Sequence, residues 1–266
     1  LVLTQYKSQS LQRHLRDGWS IFSPECGEFI TMVPPQMRTS DSWYEGTADA
    51  LHQNLYLLER SPSQDALILA ADHIYRMDYA AMLRAHHASQ AEVTVACLTV
   101  GLDEARSFGV MAVDADDRIV EFHEKPQHPK AIPGDPAHAL ASMGVYVFSR
   151  DVLNEVLTRN QSADFGRELI PEALDTHRVH AYLYRGYWAD VGTVGSFYDV
   201  NLMLTRRSPP FNFFHPRRPI YSHPRFLPSA RLHNCTVDQA LVSEGAYLDS
   251  CEVTSRDRRR FLASAT

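Results

Sequence analysis

The sequence predicts an α/β protein: a doubly wound, mostly parallel sheet over residues 1–207, then the start of a left-handed parallel β-helix. Three observations carry this prediction. Short apolar runs and helical periods alternate from residue 1 to about residue 206. One run, 66–71, carries no charge and stops at Asp72, as a strand buried on both faces does at its carboxyl end. Between Ala230 and Thr254, small and apolar residues recur every six positions. Cys235, Leu241, Tyr247 and Val253 form one column, and Ala230, Thr236, Val242, Leu248 and Thr254 the next. Chance alternation in a short β-hairpin is the alternative for this last segment.

Taken in order, residues 1–5 read as a strand. Residues 9–19 read as an amphipathic helix, with Leu11, Leu15 and Trp19 four apart on one face. Residues 29–33 are a short strand stopped by Pro34 and Pro35. Gly46 and Thr47 open a helix over 48–59, with Thr47 as its N-cap and Ala48, Leu51, Leu55 and Leu58 on one face. After the run at 66–71, Asp78 caps a helix that ends near His87. Strands follow at 91–100 and 109–113, the second leading into an acidic turn at 114–117. Residues 118–126 alternate apolar and polar, as a strand exposed on one face does, and Pro126 ends it. A buried strand over 141–148 and helices over 151–158 and 166–174 come next. A strand over 179–184 leads to a loop at 188–193 and a helix over 194–206. Residues 208–228 are proline-rich without period and read as a linker to a second domain over 229–266. Residues 255–261 break the six-residue pattern, so about one coil is present.

Composition narrows the function. The 266 residues are 44% hydrophobic and 22% charged, enough for one substantial core and a small second module. A net charge of −6 offers no basic field for nonspecific nucleic-acid binding. No run approaches membrane-spanning length and no signal peptide opens the chain, so a cytoplasmic location is expected. Cys26, Cys97, Cys235 and Cys251 are scattered in sequence, which fits a reducing compartment and neither a disulfide framework nor a zinc site. Lysine occurs only as Lys7, Lys125 and Lys130 among many arginines, which singles each one out. Asp72 at a strand's carboxyl end suits a hard cation such as Mg2+ and, through it, a phosphate. Its alternatives are a helix cap or a plain strand end.

Six motifs occur in order: Trp43-Tyr-x-Gly-Thr-Ala-Asp-Ala50, Asp72-His-Ile-Tyr75, Phe108-Gly-Val-Met-Ala-Val-Asp114, Glu121-Phe-x-Glu-Lys-Pro126, Ala141-Ser-Met-Gly-Val-Tyr-Val-Phe148 and Trp188-x-Asp-Val-Gly-Thr193. Together they resemble the ADP-glucose pyrophosphorylase (glucose-1-phosphate adenylyltransferase) family over residues 1 to about 250. The resemblance implies a Rossmann-like nucleotidyltransferase domain. It also implies a reaction of ATP with glucose 1-phosphate to give ADP-glucose and diphosphate, with Mg2+, in glycogen or starch biosynthesis.

It further implies roles. Asp72 and Asp190 would hold Mg2+. Lys125 would pair with the phosphate of glucose 1-phosphate, and Glu124 would accept from the sugar hydroxyls. Tyr44 and Ser142 would contact the sugar phosphate, Gly109 would allow close backbone approach, and Gly46 with Thr47 would lie near the nucleotide base. The bland alternatives are a turn carboxylate for Asp190, a solvated lysine, a surface glutamate, and packing or capping roles for Tyr44 and Ser142. The family is typically a homotetramer and allosteric. Two departures stand out. The family opens with a glycine-rich loop carrying an arginine and then a lysine-bearing segment, which residues 1–40 do not supply. The chain therefore reads as truncated at both ends, and poor turnover is expected of it as it stands. Ala71 also occupies a position where the family usually has glycine. The other readings are a UDP-, dTDP- or GDP-sugar pyrophosphorylase and a non-catalytic regulatory subunit.

Overall fold

A computed structural model describes residues 1–36, 43–159, 164–210, 213, 215, 219–223 and 226–254. In chain order the first elements are β1 (Val2–Leu3), α1 (Gln9–Gly18), β2 (Met32–Val33), α2 (Thr47–His52), α3 (Leu55–Glu59), β3 (Asp65–Leu69), β4 (His73–Tyr75) and α4 (Tyr79–Ala88). Then come β5 (Val93–Gly101), α5 (Leu102–Ala105), β6 (Gly109–Val113), β7 (Ile119–Glu124), β8 (His138–Ser149) and α6 (Arg150–Arg159). A π-turn (Phe165–Leu169) runs into α7 (Ile170–Thr176), followed by β9 (Val179–Leu183), β10 (Trp188–Asp190) and α8 (Val194–Leu204). The last strands are β11 (Arg231–His233), β12 (Thr236–Asp238), β13 (Tyr247–Asp249) and β14 (Glu252–Thr254). Residues 37–42 and 255–266 lie outside the described residues, and with them the pattern break expected after Thr254.

The chain divides into two compact units. The first comprises Leu1–Tyr6, Met32–Ala71 and Arg76–Trp188. Its six-stranded sheet runs β7-β6-β8-β5-β9, and β3 pairs with the far half of β8. The sheet is mixed, which corrects the expectation of a mostly parallel one. β8 is antiparallel to β3, β5 and β6, and only β5 and β9 pair in parallel. β1 and β2 form a separate parallel pair.

Alternation along β5 explains why helices cover both faces. Val93, Val95 and Cys97 point one way, into a cluster with Phe148, Leu153, Leu157, Leu169 and Ile170 beneath α6 and α7. Each large side chain fully buried there contributes about 1.5–3 kcal/mol. Thr94 points the other way, and its hydroxyl lies 2.8 Å from Nδ1 of the buried His86 on α4. Asp78 starts α4 by accepting from the Ala81 N–H, as expected of a capping aspartate. Among the described residues, no helix is long and apolar enough to cross a membrane.

Four local expectations are corrected. β3 is half-buried, with Leu69 45% exposed, and is not a strand covered on both faces. The helix expected over 48–59 is two, α2 and α3. At their junction the Asn54 amide donates to the Ala50 carbonyl and to the Tyr44 hydroxyl, competing with the helical ladder. The helix expected over 166–174 opens as a π-turn. Pro171, with no N–H to close the ladder, sits in the first turn of α7. Residues 188–190, expected in a loop, form strand β10, which pairs with β4.

The second unit comprises Lys7–Thr31, Asp72–Tyr75 and Ala189–Thr266. In it α1 ends at Gly18, where an added Cβ would lie 3.0 Å from the Ser222 backbone, and Trp19 packs edge-on to Tyr221. Near its end, β11 pairs in parallel with β13, and β12 with β14. The offset between paired residues is 16 positions, as in Cys235 and Cys251. The six-residue columns therefore do not line up one coil later: Cys235 stacks on Cys251 and not on Val253. The connection through Gly245, at φ 76°, is too short for three full six-residue turns.

Candidate active site

The candidate residues fall into two groups, one in each unit. In the second unit, Asp72 leads into β4 and Asp190 closes β10. The Val191 N–H donates to the Asp72 carbonyl at 2.9 Å, which fixes the two strand ends side by side. Asp190 Oδ1 accepts from the Gly192 N–H at 2.6 Å. A Cβ on Gly192 would lie 3.0 Å from that oxygen, tight enough to disturb the turn. Thr193 and Ser196 then form a reciprocal capping box that starts α8 and holds this turn in place.

Asp72, His73 and Asp190 each offer a ligand atom, and the three atoms lie within 4.8 Å of one another. His73 Nε2 is 3.5 Å from Asp72 Oδ1, and its ring is largely covered while the Asp72 carboxylate is 63% exposed. Two carboxylates this close repel by about 1 kcal/mol when solvated, and a cation between them reverses the sign. The two carboxylate oxygens, with Asp72 exposed, fit a hard divalent cation, whereas the His73 imidazole is not a usual ligand for one. Sequence reasoning singled out both aspartates. It quoted His73 only as part of a motif, although its position next to Asp72 was a signal. Ala71, the family departure, is exposed.

In the first unit, Gly109 faces Glu124 across the β6–β7 ladder. The Lys125 N–H donates to the Phe108 carbonyl at 3.0 Å, and Lys125 takes a left-handed backbone at φ 48°. That conformation is rare outside glycine and turns its side chain out of the strand's alternation. The Lys125 ammonium is more than half exposed and lies 3.9 Å from Glu124 Oε1. Glu124 itself is largely covered. A Cβ on Gly166 would lie 2.4 Å from Glu124 Oε2, so only glycine there lets the carboxylate occupy its place. Asp164 accepts from the Gly166 and Arg167 N–H groups at 2.9 Å and sets the start of the π-turn beside Glu124.

Ser142 is buried on β8, where its hydroxyl accepts from the Gly144 N–H and hydrogen-bonds Tyr146. Burial pushes the Tyr146 phenol up to about 12, and its ring stacks on Phe165 at 5.3 Å. Tyr44 is tied to Asn54 at 2.9 Å, at the α2–α3 junction. Gly46, not Thr47, takes the N-cap position of α2, and neither supplies a side-chain cap. The Glu45 N–H is instead accepted by Asp49, which corrects the expected role of Thr47. The geometry thus gathers Gly109, Glu124 and Lys125, with Asp164 and Gly166 added. Sequence reasoning missed those two because their part depends on packing far along the chain.

Burial raises the Glu124 carboxyl above its ordinary range; Lys125 opposes this and Asp164 adds to it. The folded state therefore holds this proton more tightly than the unfolded chain. The resulting stability is present below the ordinary carboxylate pKa and is lost as pH rises through the raised folded value. Glu124→Gln is expected to flatten that part of the pH–stability curve and to raise the urea midpoint at neutral pH. Urea unfolding at acid and neutral pH checks both. Gly109 has a packing reason of its own, since a Cβ there would meet the Phe122 ring at 2.4 Å. Phe122 is a core residue with little room to move, so Gly109→Ala is expected to cost about 1–3 kcal/mol in the same measurement.

A mixed sheet with helices on both faces and, apart from it, an acidic pair at the ends of β4 and β10 are the features of a class. The chain belongs to the nucleotidyl transferase family, whose model matches residues 1–207. More particularly, it is similar to glucose-1-phosphate adenylyltransferase 2 of Vibrio cholerae, 50% identical over 264 residues, which cover 94% of this chain and 64% of that protein. The enzyme of the same name from Vibrio vulnificus strain YJ016 is 49% identical over the same shares. Glucose-1-phosphate adenylyltransferase of Methylobacillus flagellatus is 44% identical over 245 residues, covering 86% of this chain and 57% of that protein. The chain thus spans less than two thirds of the length of these relatives.

Proposed function

We propose that this chain is the core of a glucose-1-phosphate adenylyltransferase, which converts ATP and glucose 1-phosphate to ADP-glucose and diphosphate in glycogen or starch biosynthesis. The observation that carries the proposal is the approach of Asp72 and Asp190 at paired strand ends. A sugar phosphate oxygen forms a bond to the α-phosphorus of ATP. The bond to the diphosphate breaks, and its electron pair leaves with that group. The nucleophile needs no general base, because a phosphate monoester has a second pKa of about 6. The barrier is alignment and charge repulsion.

The chain's own groups meet those demands. Lys125 offers an ammonium to the sugar phosphate and lowers the repulsion between it and the triphosphate. Glu124, held between Gly109 and Gly166, accepts from the sugar hydroxyls and fixes the ring. Ser142 and Tyr44 contact the sugar phosphate, and Gly46 with Thr47 lies against the base. Asp72 and Asp190 hold Mg2+, with His73 beside them. When bound, the ion supplies charge neutralisation across phosphate oxygens.

The division into a catalytic domain over 1–207, a linker over 208–228 and a β-helix beginning after 229 belongs to the same reading. The parallel pairing of β11 with β13 and β12 with β14 supports it. A homotetrameric, allosteric, cytoplasmic enzyme is part of the same reading and rests on the family resemblance of the six motifs. A nucleotide-selectivity assay on a protein spanning the relatives' full length tests the assignment. Preference for ATP is expected, and preference for UTP or dTTP removes it.

A further inference from the structure

We propose that Cys235 and Cys251 are a redox modification site, converted by a peroxide or by a small-molecule disulfide into an intrachain disulfide that staples two stacked coils. Strand register brings the two thiols together, independently of the proposed activity. Arg231 to His233 pair with Tyr247 to Asp249, and Thr236 to Asp238 with Glu252 to Thr254, all at one offset. The two cysteines fall at that offset, between the paired strands, with their sulfurs 3.3 Å apart. Each follows a residue in the left-handed conformation, Asn234 at φ 51° and Ser250 at φ 49°. The two corners thus have the same shape, and the side chains leave them in the same direction.

Neighbouring strands run about 4.8 Å apart, inside the range of about 4.4–6.8 Å that a disulfide requires between Cα atoms. The backbone is already fixed on both sides of the thiols. The Ser250 N–H donates to the His233 carbonyl at 2.8 Å, and the Thr236 N–H to the Cys251 carbonyl at 3.0 Å. Closing the bond needs only side-chain rotation. Both residues are half-buried, so a small oxidant reaches them. The other two cysteines differ. Cys97 is buried, with its thiol pushed up to about 12 by desolvation, and Cys26 is exposed. Sequence spacing hid the pair, because register and not proximity along the chain brings the two together.

The chemistry balances. With hydrogen peroxide, one thiol becomes a sulfenic acid and releases water. The second sulfur then attacks it, the S–S bond forms as the S–O bond breaks, and a second water leaves. The protein loses two hydrogens and the peroxide is reduced. With oxidised glutathione, exchange through a mixed disulfide gives the same product and two reduced glutathiones.

The native chain is exposed to peroxide or oxidised glutathione, its remaining thiols are alkylated in denaturant, and it is cut at Glu244 with a glutamyl endopeptidase. The expected result is a fall in alkylated thiols from four to two. The pieces on either side of Glu244 stay joined until a reductant is added, and the link vanishes in Cys235→Ser and in Cys251→Ser. Alkylation of both cysteines after oxidation overturns the proposal. So does a link only between two chains, or one that involves Cys26.

Discussion

Asp190→Asn is expected to lower adenylyl transfer by about 10²–10³-fold while leaving the unfolding midpoint nearly unchanged. That is the scale seen when one preorganised electrostatic group is removed from a reacting centre. The substitution keeps the shape of the side chain and can keep the contact with the Gly192 N–H, so the turn into α8 survives. What it removes is one of the two negative charges that hold a cation at the paired ends of β4 and β10. Asp72→Asn is expected to behave alike. Asp72 is the more exposed of the two aspartates, and its backbone carbonyl, which accepts from the Val191 N–H, is untouched. The double variant is expected to lose little more than either single one, because the two act as a unit. Steady-state rates on a protein of the relatives' full length, with urea unfolding alongside, check this. Full additivity of the two losses would show separate roles.

Lys125→Ala is expected to raise the apparent KM for glucose 1-phosphate by about 10–100-fold, the worth of a charge-assisted contact of about 1.5–3 kcal/mol. The effect on kcat is expected to be smaller. The ammonium is largely exposed and its ion pair with Glu124 is long, so its loss costs little stability. Lys125→Arg is not a rescue, since a planar guanidinium at a strained φ 48° position does not reproduce a point charge. An unchanged KM in Lys125→Ala removes this residue from the sugar-phosphate role.

Much of this architecture was legible before any coordinates. The alternation of strands and helices, the cap at Asp78 and the buried run in β8 follow from short-range patterns. Strand direction does not. A strand covered on both faces reads the same whether its neighbours are parallel or antiparallel, so β8 gave no sign that it opposes β3, β5 and β6. The break between α2 and α3 was hidden too. The apolar stripe of Ala48, Leu51, Leu55 and Leu58 runs through it, and the interruption comes from one polar side chain, Asn54. At the candidate site, Asp72 stood out because a carboxylate at a strand end is a local signal, whereas Asp190, read as part of a loop, was reached only through the family resemblance. Gly166, Asp164 and the Cys235–Cys251 pair could not, because each acquires its meaning from a residue far away in sequence.

The most direct test is a titration of the chain with Mn2+, followed by the loss of its free electron paramagnetic resonance signal. Competition by Mg2+ reports the same site. One site is expected in the unmodified chain, with its affinity sharply reduced in both Asp72→Asn and Asp190→Asn. Unaltered Mn2+ affinity and stoichiometry in both variants would contradict the claim that these two carboxylates share a cation.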